Sequence, residues 1–113
     1  GTIKQNVEAA IKKGLKEIVI SDHGPGHLTY GVSRKNFHRM REEIDKMRKE
    51  YKGISILLGV EANLTSCDGD IDVTLEEIKL FDKLLVGFHN GAMPRTFKDA
   101  YNLYLKNYAS RLI

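Results

Sequence analysis

The stretch Ile54-Ser-Ile-Leu-Leu-Gly-Val-Glu-Ala-Asn63 constrains this chain more than any other. It is an apolar run bounded by glycine at Gly53, with one carboxylate, Glu61, at its exit. A run that is apolar on both faces belongs in a parallel sheet covered by helices. The design occurs twice more: Glu17-Ile-Val-Ile-Ser-Asp-His23 ends in an Asp-His pair, and Lys83-Leu-Leu-Val-Gly-Phe-His89 ends in a histidine. Open α/β sheets and barrels keep their ligands at the carboxyl ends of their strands. Three strands ending in His, Glu and His therefore point to a metal site built from strand ends.

Between these strands the apolar residues recur at helical spacing. Ile3, Val7, Ala10 and Ile11 predict a helix over 2–13, stopped by Gly14. Strand one is expected over Glu17 to Ser21. The glycines and proline of Gly24-Pro25-Gly26 make 22–32 a loop. Ser33 is a good N-cap for a long helix from Arg34 to about Tyr51, with Phe37, Met40, Ile44, Met47 and Tyr51 as its buried stripe. Thr74-Leu-Glu-Glu77 has the form of a capping box opening a short helix. Thr96 caps a last helix carrying Phe97, Ala100, Tyr101, Leu105 and Tyr108. Helix and strand thus alternate throughout, which predicts a parallel sheet with right-handed crossovers.

The chain has 113 residues, enough for one domain with a core. Three strands make only half a barrel or half an open sheet, since a closed eightfold barrel takes about 250 residues. The segment reads as incomplete, and its open sheet edge invites pairing with another copy of the chain. It opens Gly1-Thr2 and runs directly into a helix, which suits the interior of a larger protein. No apolar stretch approaches the roughly 18 residues of a membrane span. The single cysteine, Cys67, allows no internal disulfide, and a cytoplasmic origin is the simple inference. Its acidic neighbours disfavour the thiolate, so it reads as inert. The net charge of +3 arises from 18 basic and 15 acidic side chains, with the bases mostly on helix faces. With no RNP-like motif or basic-aromatic strand, this argues against nucleic-acid binding.

His23, Glu61 and His89 are one βα unit apart in turn, so they fall on neighbouring strand ends. Imidazole nitrogen and carboxylate oxygen suit zinc, manganese or iron. One such histidine would be an ordinary polar residue ending a strand where water begins; three in register favour a metal centre. Asp22 either orients the His23 ring or caps the loop. His27 either meets a substrate anion or is simply exposed, the second being the plainer reading. His38 lies off the apolar stripe and reads as a solvent histidine. Asp68, Asp70 and Asp72 resemble the start of a calcium loop, but the glycine is at the second position and no acid closes the loop. Gly24-Pro25-Gly26 lacks the remainder of any phosphate-cradling fingerprint.

Ile20-Ser-Asp-His-Gly24, Gly59-Val-Glu-Ala-Asn63, Asp68-Gly-Asp-Ile-Asp72 and Val86-Gly-Phe-His89, in this order and spacing, resemble successive motifs of the PHP (polymerase and histidinol phosphatase) superfamily. The resemblance runs the length of the chain and is nearest to the stand-alone bacterial phosphoesterases, with histidinol-phosphatase-like members close by. It implies an α/β fold that is part of a distorted (β/α)7 TIM-like barrel, with two or three divalent metal ions at its carboxyl face. It also implies that 1–113 is a partial domain, without the opening His-x-His segment and the C-terminal half of the barrel. On this resemblance His23 ligates one metal, Glu61 bridges two and His89 ligates another, with Glu61 and His89 as catalytic residues. The expected activity is metal-dependent hydrolysis of small phosphomonoesters by a metal-activated water, with Arg34, Arg95 or His27 as candidate phosphate contacts. The alternative is a non-catalytic or nuclease-associated module of a DNA-processing protein.

Overall fold

A computed structural model of the chain describes residues 1–27, 29–66 and 68–87, together with Asn102 and Lys106, both helical. The rest of the expected last helix lies outside the described residues, as do Cys67, His89 and Arg95.

Helix α1, Ile3–Lys12, starts on a capping box. The Thr2 hydroxyl accepts from the Gln5 backbone N–H at 3.1 Å, and the Gln5 side chain accepts from the Thr2 N–H at 2.9 Å. It ends where Gly14 takes φ +74°, with Gly14 N–H donating to the Ile11 carbonyl and Leu15 N–H to that of Ala10. Those two bonds satisfy carbonyls that a helix end otherwise leaves open. Strand β1, Glu17–His23, follows and runs two residues further than the sequence predicts, because its last residues pair with the exit of the central strand.

Ser33 does not cap through its side chain. The chain instead makes a 3₁₀ turn over Arg34–Asn36, closed by Asn36 N–H on the Ser33 carbonyl, and α2 proper spans Phe37–Glu50. Its stripe is as expected: Phe37, Met40, Ile44 and Met47 are buried. Tyr51 is only half-buried and gives its hydroxyl proton to Glu8 at 2.7 Å. His38 is exposed. Strand β2, Ser55–Asn63, is central, followed by one turn of helix, α3, Leu75–Ile78, and by β3, Lys83–Gly87. Thr74 and Glu77 form the predicted capping box.

The sheet has order β1-β2-β3 and is parallel throughout, His23 pairing with Glu61 and Glu61 with Leu85. Side chains alternate across it. On one face Ile56, Leu58, Val60 and Ala62 are buried beneath the helices. Ile56 and Leu58 cluster with Val7 and Ala10 of α1 and with the α2 stripe, while Val60 and Ala62 form a second cluster with Leu64, Ile71, Val73 and Ile78. The other face carries Val19, Leu57, Gly59, Glu61 and Leu85; Val19 is 40% exposed and Leu85 56%. Parallel strands alternating with helices, covered on one face and open on the other, form part of a TIM-like barrel. Among the described residues no helix is long and apolar enough to cross a membrane.

Candidate active site

The carboxyl ends of β1 and β2 bring His23 and Glu61 together. They are register partners, so their side chains leave the same face of the sheet, and Nδ1 of His23 lies 3.4 Å from Oε2 of Glu61. Each side chain is about one-third exposed, at 32% and 35%. Backbone bonds fix both positions. Gly24 N–H donates to the Glu61 carbonyl at 2.7 Å, and Val32 N–H returns to the His23 carbonyl at 3.0 Å. The apolar run therefore does more than fill the core. It sets the register that places an imidazole beside a carboxylate.

The loop after His23 folds back over the His23 ring. The His27 ring stacks on His23 with centroids 4.3 Å apart at 30°, and Tyr30 lies 5.6 Å from His27. His27 is half-buried, not solvent-exposed, because the loop is compact. Its backbone N–H bonds the Gly24 carbonyl, and its Nδ1 accepts from the backbone N–H groups of Thr29 and Tyr30 at 3.2 and 3.0 Å. Gly31 is required by close approach: a Cβ there would stand 2.7 Å from the Gly24 carbonyl oxygen and 2.9 Å from that of His27.

Asp72, which the sequence reading placed in a motif without giving it a role, supports the site. Its Oδ1 accepts from Asn63 N–H at 2.8 Å, and its Oδ2 accepts from Gly26 N–H at 2.7 Å and from the Asn63 side-chain amide at 2.6 Å. Asn63 is 1% exposed, and a buried amide requires such partners. The rest of the acidic run does turn chemistry. Asp70 pairs with the Ser66 hydroxyl at 2.6 Å, and Gly69 takes φ +87°. A signal for Asp72 did exist in the two glycines of Gly24-Pro25-Gly26, which leave room for a carboxylate that a Cβ would exclude.

The remaining candidates separate. Asp22 is exposed and follows the alternation of β1 onto the face opposite His23. The Arg34 guanidinium is drawn away from any phosphate role, Nε to Glu77 at 2.7 Å and Nη2 to the Asp72 carbonyl at 2.7 Å. Partial burial works to raise the Glu77 carboxyl, but the hydrogen bonds from Arg34 and Thr74 outweigh it and hold it below the usual range. His89 and Arg95 lie outside the described residues. Among the described residues no three His, Cys, Asp or Glu side chains gather as a complete metal site. The pair that is present fits a metal by its spacing. Two donor atoms each about 2.1 Å from a tetrahedral ion stand about 3.4 Å apart, which is the His23–Glu61 separation.

Comparison with known proteins identifies the family. The family model for the PHP domain matches residues 1–113. A probable phosphatase of Enterobacter sp. (strain 638) is 30% identical over 105 residues, covering 88% of this chain and 39% of that protein. A probable phosphatase of Proteus mirabilis is 33% identical over 92 residues, covering 81% and 36%. One of Shewanella piezotolerans is 31% identical over 111 residues, covering 94% and 41%. The chain thus spans about two-fifths of the length of these relatives. With the parallel sheet, the strand-end His-Glu pair and the match over its whole length, this chain belongs to the PHP domain family, whose similar members carry the name of phosphatases.

Proposed function

We propose that the protein is a metal-dependent phosphoesterase acting on small phosphomonoesters of the histidinol-phosphate kind. The observation that carries this reading is the His23–Glu61 pair at ligand spacing on adjacent strand ends. His23 and Glu61 would hold the ion, and the resemblance adds His89 as a further ligand. Zinc, manganese and iron all accept such donors. A metal bound there supplies charge for the phosphoryl oxygens and a water acidic enough to attack phosphorus.

The chain's own residues do the positioning. Glu61 presents its carboxylate from a strand paired on both sides, which fixes the backbone position it leaves from. His23 is held by pairing on one side and by the returning loop on the other. His27 stacks on the His23 ring and covers one side of it. The substrate's phosphoryl group would lie on the open face near Glu61, where the described side chains leave access from solvent.

Glu61→Ala tests the assignment. We expect bound metal to fall to background and kcat/KM on a phosphomonoester to drop by more than about 100-fold, beyond the loss that even indirect disturbance of a metal site causes. Turnover close to that of the wild type would refute the role given to Glu61.

A further inference from the structure

Asp72 comes from the 68–72 run yet touches neither the His23 nor the Glu61 side chain in the contacts described above. Its carboxylate spans two segments instead. It receives Asn63, two residues beyond Glu61, through both backbone and side-chain amide, and Gly26, the residue before His27, through its backbone N–H. The fit is close. A Cβ at residue 24 would stand 2.6 Å from Oδ1 and one at residue 26 would stand 2.9 Å from Oδ2. Asp72 is itself held, by its N–H on the Asn63 carbonyl at 3.1 Å and by Arg34 on its own carbonyl. Hydrogen bonds to an ionised acceptor are the stronger kind, and three of them converge on this one group.

The turn so fixed leads directly into His27. Backbone N–H groups only donate, so the two that point at Nδ1 require that nitrogen to be unprotonated. The neutral ring then carries its proton on Nε2. In this form His27 is a hydrogen-bond donor and not a metal ligand, although it stacks on a residue that suits one.

We propose that Asp72 is a positioning residue which, by clamping the 24–26 turn, holds His27 over His23 as the Nε2–H tautomer to donate a hydrogen bond to a substrate phosphoryl oxygen. A neutral donor suits this place: it binds the anion without competing for the metal. The positioning stands on the contacts alone, and the phosphoryl acceptor rests on the phosphoesterase reading.

The test compares Asp72→Asn and Gly26→Ala in the zinc-loaded protein. Asp72→Asn removes acceptor capacity, and Gly26→Ala pushes the turn off an intact carboxylate. Long-range ¹H–¹⁵N spectra of the His27 ring, recorded without substrate, should show a single Nε2–H form in the wild type and lose it in both variants. In an Asp72→Ala background, Gly26→Ala should have little further effect, because the new methyl occupies space that the carboxylate vacated. With p-nitrophenyl phosphate as probe, both variants and His27→Ala should raise KM by about 10–100-fold, the range one hydrogen bond to a charged group supplies, with zinc content unchanged. A His27 spectrum unaltered in Asp72→Asn or Gly26→Ala would overturn the positioning role. Unchanged KM in His27→Ala alongside normal turnover would overturn the phosphoryl contact. A protein that turns over no phosphomonoester at all would refute the phosphoesterase reading and its phosphoryl acceptor, while the ring spectra would still decide the positioning.

Discussion

Asp82 shows how much one carboxylate can organise. It sits just ahead of β3 and accepts from Leu58 N–H at 2.8 Å, Arg41 Nη1 at 3.0 Å and Arg48 Nη2 at 2.8 Å. Its own N–H returns to the Leu58 carbonyl at 2.8 Å, so one residue ties α2 and β3 to the middle of β2. Partial burial works to raise its carboxyl, but the Leu58 N–H and the two guanidinium groups outweigh that and hold it below the ordinary aspartate range. A carboxyl depressed on folding stabilises the protein above its unfolded value, about pH 3.9, and the contribution is lost as pH falls through the lower folded value. Asp82→Ala should cost about 1–3 kcal/mol at neutral pH, the penalty for stranding partly buried partners. It should also flatten the acid limb of stability below about pH 4. Urea titrations at neutral pH and at two acidic values check both expectations. Equal losses at every pH would show that the effect is packing and not charge.

At the scale of elements, the site depends on the β1–β2 register, and Gly59 is where that register is most easily disturbed. A Cβ at Gly59 would meet Val19 Cγ1 at 2.9 Å and Ser21 at 3.2 Å. Both neighbours belong to β1, within four residues of His23. Gly59→Ala should therefore destabilise by about 1–3 kcal/mol through overpacking and weaken metal binding by spreading His23 from Glu61. Thermal melts and a metal titration measure the two effects, and an unshifted melt would show that β1 yields freely. The strands were legible in the sequence because each is an apolar run with a polar residue at its exit, and His23 and Glu61 could be read from that pattern. The start of α2 was not legible. Ser33 has the residue type of a cap, but the next residue, Arg34, is bound by Glu77 and the Asp72 carbonyl, and a 3₁₀ turn forms where a direct helix start was expected. Asp72 was hidden for a similar reason. Its partner at Gly26 is 46 residues away, and neither the failed calcium loop nor the motif it ends gave a reason to pair the two.

For the whole molecule, one face of the sheet is sealed by two helices and the other presents Val19, Leu85 and the His23–Glu61 pair. In a TIM-like barrel the face away from the helices is the interior, and the ligand end is where the strands finish. Both descriptions fit the placement of His23 and Glu61, and together they explain why an apolar run carries the Glu61 carboxylate within the same ten residues. If the His23–Glu61 pair holds a catalytic metal, elemental analysis of the purified protein beside its Glu61→Ala variant will show it. Zinc, manganese or iron is expected in the wild type and should be lost from the variant. Equal metal in both would contradict it.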